Sequence, residues 1–331
     1  MWNDYYNWIE LEKGDQEEKD LKNYSISTKI DPYKKKNKLI QKRKNIIVND
    51  RIMHIIQLKD RRLAVSAGSA LYIYIKNTFN LQLIIDKHKG EINSFTELKN
   101  GLIITCSDDK TMNVIKLSVD NNYDVIQVLK EHKDYVYKII EIKENEYISI
   151  SKDTKYVIWK INTSNKFYYI QSIIYNDRRD SSNIIKINDN EFAISILNED
   201  FIQFWNANTY TIITRVKLRA NWPRKNMCLI TQKILGVCGL NDLSFINVNT
   251  HKIICQIEGI SFTSIIKCNN GHFLCAIDDN GENSLAEFDL KLNKIYEKTD
   301  AHSSKILCVE ELKDGTIVSG GEDEVIKFWR D

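Results

Sequence analysis

The chain has two prolines in 331 residues and no apolar run near the ~18 residues that a membrane-spanning helix needs. Its seven cysteines include no Cys-x-x-Cys, and no histidine stands at ligand spacing from them, so neither a metal site nor a disulfide framework is expected. Cys106, Cys228, Cys238, Cys255, Cys268, Cys275 and Cys308 fall mostly in apolar runs and read as reduced core thiols. There is no Gly-rich phosphate loop and no paired-carboxylate constellation. Neither a cofactor, a small-molecule substrate, a membrane partner nor a catalytic residue is therefore expected, and the chain does not read as an enzyme. The N-terminus, Met1-Trp2-Asn3-Asp4-Tyr5-Tyr6, lacks the basic and apolar regions of a secretory signal. The expected location is inside the cell, in cytoplasm or nucleus. A net charge of +2 is too small to argue for a polyanionic partner.

What is present is polarised at one end and periodic over the rest. Residues 1–20 carry seven acidic side chains against two lysines, whereas Lys34, Lys35, Lys36, Lys38, Lys42, Arg43 and Lys44 form a basic strip. Trp2, Tyr5, Tyr6 and Ile9 recur at i, i+3, i+4 and i+7, which predicts a short helix in an N-terminal extension over residues 1–37. Its apolar face either packs on the chain's own side wall or docks into a partner.

At the other end, His302 precedes Asp323 by 21 residues and Trp329 by 27, and the first interval returns at His88 to Asp109 and His132 to Asp153. Aligned on the Trp329 slot, Ile75, Ile115, Trp159, Trp205, Ile246, Phe288 and Trp329 follow one another at gaps of 40, 44, 46, 41, 42 and 41 residues. Each unit reads as an apolar strand, a polar turn and two further strands, as at 306–312, 316–319 and 325–329. Seven such units over residues 38–331 predict an all-β fold, a seven-bladed β-propeller. The chain stops two residues after Trp329, so the last blade has no fourth strand of its own. The apolar stretch 39–46 is the expected replacement, closing the fold with an N-terminal strand.

Ser-Gly-Gly-Glu-Asp-Glu-Val-Ile-Lys-Phe-Trp at the C-terminus, Ser-Ile-Ser-Lys-Asp-Thr-Lys-Tyr-Val-Ile-Trp in the third unit and Thr-Cys-Ser-Asp-Asp-Lys-Thr-Met-Asn-Val-Ile in the second resemble the WD-repeat family. The resemblance implies a hydrogen-bonded tetrad in each matching blade: His302, Ser319, Asp323 and Trp329 in the seventh, and His132, Ser149, Asp153 and Trp159 in the third. The second keeps His88, Thr105 and Asp109, with Ile115 in place of the Trp. A turn carboxylate accepting from imidazole, hydroxyl and indole together would satisfy several buried polar groups. The set recurs and Trp fills the slot a substrate would need, so it reads as a staple and not as a hydrolase triad. Units one, four, five and six depart from the pattern, and units one, five and six are expected to rest on apolar packing alone.

The resemblance also implies a scaffold or complex subunit that binds protein partners on the face built from the blade-leading loops. There Tyr135 and Tyr137, with Asp134, come from the third unit, Arg178 and Arg179 from the fourth, and Trp222, Arg224 and Lys225 from the fifth. Tyr, Trp and Arg dominate binding hot spots, and an acidic or phosphorylated peptide suits the guanidinium groups; the alternative is a set of solvated rim residues. Two other roles remain. The strip from Lys34 to Lys44 could contact RNA or DNA phosphates, against the plainer reading of a strand whose lysines face water. A ubiquitin-ligase substrate receptor is the other, although no F-box-like region precedes the repeats and no Trp-Asp-x-Arg occurs: Trp159 is followed by Lys160 and Trp205 by Asn206.

Overall fold

The computed structural model describes residues 6–8, 40–41, 45–118, 120–174, 181–196, 199–218 and 226–330. Strands β1 (Tyr6–Trp8), β2 (Ile40–Gln41) and β3 (Ile46–Ile47) precede the repeats. The first sheet is β4 (Ile52–Gln57), β5 (Leu63–Ala67), β6 (Ala70–Tyr74) and β7 (Leu81–Asp86). The second is β8 (Ile92–Glu97), β9 (Ile103–Ser107), β10 (Met112–Leu117) and β11 (Tyr123–Leu129), and the third β12 (Val136–Lys143), β13 (Glu146–Ser151), β14 (Lys155–Ile161) and β15 (Phe167–Ile174). The fourth is β16 (Ser181–Asn188), β17 (Glu191–Ile196), β18 (Phe201–Asn206) and β19 (Thr211–Lys217); the fifth is β20 (Met227–Leu229), β21 (Ile234–Cys238), β22 (Asp242–Asn247) and β23 (Lys252–Glu258). The sixth is β24 (Ser261–Lys267), β25 (Phe273–Asp279), β26 (Glu282–Phe288) and β27 (Lys294–His302), and the seventh opens with β28 (Ile306–Glu311), β29 (Ile317–Gly321) and β30 (Val325–Arg330).

Within each sheet the repeat strands are antiparallel neighbours in chain order. The fold is all-β, a seven-bladed β-propeller, with no helix among the described residues. The sequence dictates this layering. Second strands such as Leu63–Ala67, Ile103–Ser107 and Glu146–Ser151 are buried at every position and are near-continuous runs of apolar and small residues, as strands covered on both faces must be. The fourth strand Thr211–Lys217 alternates, with one face toward water.

Two compact units divide the sheets. In Ile47–Leu197 with Ile202–Arg215, Leu58, Ile73 and Ile85 of the first sheet's segment meet Ile92, Phe95 and Ile103 of the second. Ile104, Val114 and Leu129 in turn meet Ile139, Val157 and Trp159 of the third. In the other unit, which takes in Val216–Asp331, Phe245, Ile254 and Ile257 of the fifth sheet pack on Phe262, Phe273 and Phe288 of the sixth. Leu274, Ala276 and Leu285 pack on Ile306, Val309 and Trp329 of the seventh. Each large side chain so buried contributes about 1.5–3 kcal/mol.

The seventh sheet takes its fourth strand from the other end of the chain: Ile40 pairs with Arg330 and Gln41 with Trp329, and β3 also pairs β30. Two expectations need correction. Tyr6–Trp8 is not helical but a fifth strand on the fifth sheet, in register Tyr6 with Ile257, Asn7 with Gln256 and Trp8 with Cys255; the rest of residues 1–37 lies outside the described residues. In the first sheet the Trp329 slot belongs to Tyr74 and not Ile75. Tyr74 is buried opposite Leu63, as Trp329 is opposite Ile317, while Ile75 is exposed. The turn between β5 and β6, Gly68-Ser69, is two residues long, shorter than in every other sheet but the sixth, which shifts the alignment.

Candidate functional site

The second, third and seventh sheets each carry a polar chain running from core to surface. In the seventh, Trp329 Nε1 donates to Ser319 Oγ at 2.8 Å, His302 Nε2 lies 2.7 Å from the same oxygen, and His302 Nδ1 lies 2.8 and 2.9 Å from the two Asp323 oxygens. In the third, the same path runs Trp159 to Ser149 (2.9 Å), Ser149 to His132 (2.7 Å) and His132 to Asp153 (3.1 and 3.2 Å). In the second, Thr105 and Asp109 lie 2.7 and 2.8 Å from the two nitrogens of His88, and the buried Ile115 takes the place of the indole.

The network is a relay and not the single carboxylate hub expected from the sequence. The hydroxyl sits mid-strand between indole and imidazole, and the aspartate, out in the turn, meets the imidazole, the backbone beside it and, in the second and seventh sheets, the hydroxyls of Thr111 (2.6 Å) and Ser303 (3.4 Å). Lys89 N, Lys133 N and Ser303 N donate to Asp109, Asp153 and Asp323 at 3.0, 2.8 and 3.2 Å, which ties each blade-leading loop to the turn between second and third strands. Burial alone would raise these carboxyls, but the hydrogen bonds from His132, its charge and the Lys133 and Lys155 amides hold Asp153 down at about 2. Asp109 and Asp323 are likewise held below the usual carboxylate range. Ser, His and Asp stand here in the order of a nucleophilic triad. Ser149, Ser319 and Thr105 are nevertheless fully buried, and each serine oxygen already meets the indole, so no substrate reaches it.

The relays also fix what stands beside them. Lys89 and Lys110 flank the His88–Asp109 pair, Lys133 and Lys152 flank His132–Asp153, and all four are exposed. The Lys152 amide donates to the Tyr135 carbonyl at 2.9 Å, and its Nζ lies 4.9 Å from the centroid of the exposed Tyr135 ring, a cation–π pair. Asp134 caps the same loop, its carboxylate accepting from Tyr135 N at 2.9 Å. Tyr137 is only half-exposed, and its carbonyl accepts from Ser94 Oγ at 2.7 Å, linking the third sheet to the second. Arg178, Arg179, Trp222, Arg224 and Lys225 lie outside the described residues. So does the strip Lys34, Lys35, Lys36, Lys38, Lys42, Arg43 and Lys44, within which Ile40 and Gln41 form β2. Sequence reasoning missed the paired lysines, although Lys after the His and Lys beside the Asp in two consecutive repeats was a signal that could have found them.

The sheets without the His–Asp pair do not all rest on apolar packing. In the fifth, Ser244 Oγ donates to Asp242 at 2.6 Å and Gln256 Nε2 to Ser244 Oγ at 2.8 Å, all three buried. In the fourth, Trp205 Nε1 donates to Gln203 Oε1 at 3.0 Å. These replacements come from the third and fourth strands, so a search at the loop positions passes over them. The seven thiols are free, and burial pushes Cys106 up to about 12. Among the described residues no three His, Cys, Asp or Glu are grouped to hold a metal ion, and no helix is long and apolar enough to cross a membrane.

Seven blades, three of them locked by a buried relay, define a β-propeller. Residues 293–330 match the family model for the WD domain, G-beta repeat. Together with the seven blades, that match supports a WD-repeat propeller family, with no particular member singled out. No curated protein matches the chain. Propellers of this kind commonly mediate protein–protein interaction and are generally non-catalytic scaffolds.

Proposed function

We propose that the protein is a non-catalytic interaction scaffold, a subunit of an intracellular complex, that binds an acidic or phosphorylated peptide of a protein partner on the blade-leading loops of its second and third sheets. The observation that carries this reading is the pair of lysine corners: four exposed lysines, Lys89, Lys110, Lys133 and Lys152, with Tyr135 beside Lys152. The loops that hold them are immobilised by the His–Asp relays. Lysines on a fixed backbone lose less freedom on binding than lysines on a free loop, and phosphate or carboxylate groups are their natural complement. The test is binding to an array of acidic and phosphorylated peptides. A Lys133→Glu/Lys152→Glu protein should keep its melting temperature within a few degrees, because exposed charges contribute within about ±0.5 kcal/mol, and should lose the peptides that the wild type retains. Equal retention by the folded double variant would overturn the reading.

A further inference from the structure

The second sheet keeps His88, Thr105 and Asp109 but carries Ile115 where the third and fourth carry Trp159 and Trp205, each opposite the same position of the second strand. Two residues before that slot, and so on the same face of the strand, stands a carboxamide in two of these sheets: Asn113 in the second and Gln203 in the fourth. In the fourth the pair is complete, Trp205 Nε1 donating to Gln203 Oε1 at 3.0 Å. In the second the slot residue has no donor to give. Among the described residues the Asn113 side chain has no hydrogen-bond partner, although the residue is only 3 % exposed.

Asn113 lines a hollow of about 580 Å³ among the outer strands of the first two sheets, within the size range of ligand sites. Tyr123, Val125 and Val128 of β11 give it an apolar wall, and the Lys87 ammonium stands over the Tyr123 ring, 5.8 Å from its centroid. Among the described residues that line it, Lys87 and Asp124 alone are charged, one of each sign, so the hollow favours a neutral group over a phosphate or a second ammonium. An apolar wall with one buried carboxamide oxygen suits a flat apolar group that carries an N–H donor. Lys87, Asp124 and Val128 are exposed, which leaves the hollow open on its outer side, as entry of a side chain carried by another polypeptide requires.

We infer that this hollow receives the indole of a tryptophan from a partner protein, its Nε1 donating to Asn113 Oδ1 as Trp205 donates to Gln203 within the fourth sheet. The ammonium of Lys87 is placed to lie over the bound ring, and tryptophan is among the commonest anchors of protein interfaces. The site is neutral where the lysine corners are cationic, and it does not rest on the reading proposed above.

The probe is N-acetyltryptophanamide, followed by methyl NMR of the full chain with labelled valines, in which Val125 and Val128 should shift. The same compound methylated on the indole nitrogen should bind roughly tenfold more weakly, the loss of one hydrogen bond. Asn113→Val copies Val157, which holds the same register in the third sheet. It should weaken the unmethylated probe by the same factor and melt no lower than the wild type, because the amide it removes has no partner in the free protein. Ile115→Trp supplies an indole from within and should abolish the shifts. Equal binding of the two probes, wild-type binding by Asn113→Val or by a folded Ile115→Trp protein, or no shift at Val125 and Val128 would overturn the inference. An Asn113→Val protein that melts several degrees lower would do so too, by making Asn113 a structural residue. Binding of free indole without binding of N-acetyltryptophanamide would overturn the assignment to a protein partner.

Discussion

Ser319 meets two buried nitrogens with one oxygen: the Trp329 indole at 2.8 Å and His302 Nε2 at 2.7 Å. Ser319→Ala orphans both, and since each unsatisfied buried group costs about 1–3 kcal/mol, denaturant titration should show a loss of roughly 2–4 kcal/mol. Ser319→Thr should cost less than about 1 kcal/mol, because the second sheet makes the same bond to its histidine through Thr105. A loss for the alanine variant under about 0.5 kcal/mol would mean that the relay contributes nothing.

A second residue, His54, sets a pH dependence. Its half-buried ring packs edge-on against Phe95 at 5.0 Å, and the Phe95 amide donates to Nδ1. Burial, helped by the charge of Lys138, lowers it from 6.5 to about 4. Between those two values the unfolded chain binds the proton and the folded one does not, so stability falls as pH drops from 6.5 toward 4 and the loss then levels off. The expected size is roughly 1–3 kcal/mol. Melts at pH 7 and pH 4.5 should differ less for His54→Gln than for the wild type. Asp153 acts lower: its stabilisation is complete above 3.8 and is lost as pH falls through about 2.

At the scale of single elements, the turn from first to second strand repeats with one backbone conformation, a left-handed residue at its end. Gly101, Gly271 and Gly315 hold that place in the second, sixth and seventh sheets, and Arg61 holds it in the first at φ 72°. Its amide donates to the Leu58 carbonyl at 2.8 Å, as that of Gly315 does to Leu312. The left-handed region strains any residue with a Cβ. Arg61→Gly should therefore raise stability by about 0.5–1 kcal/mol in a denaturant titration; a loss would mean that the Arg61 side chain contributes more than its backbone costs. The seventh sheet poses the opposite question, because β2 is its only N-terminal contribution apart from β3 among the described residues. Deleting residues 1–46 removes β2 and should abolish a cooperative melt, whereas deleting 1–30 leaves β2 in place and should preserve it. Identical melts for the two truncations would refute closure of that sheet by the N-terminal strand.

Across the whole molecule, the fold was legible in the sequence because its signals are local and repeated. The His-to-Asp interval of 21 residues, the apolar second strands and the N-terminal stretch that joins the seventh sheet are all marked in the sequence, and all reappear in the structure. The departures arose where tertiary partners override local pattern. Tyr6–Trp8 has helical spacing, but an open sheet edge takes it as a strand. Ser244 and Gln256 sit far from the loop positions where a relay was sought, yet satisfy Asp242 inside the fifth sheet. The lysine corners were passed over because their meaning lies in the relay that holds two separate loops together, although the recurring Lys beside His and Asp marks them in the sequence. The proposal that this face binds an acidic partner peptide is tested most directly by hydrogen exchange of the full chain with and without a retained phosphopeptide. Slowed exchange is predicted at residues 89–91, 108–111, 133–135 and 152–155, and protection confined to other loops or strands would contradict it.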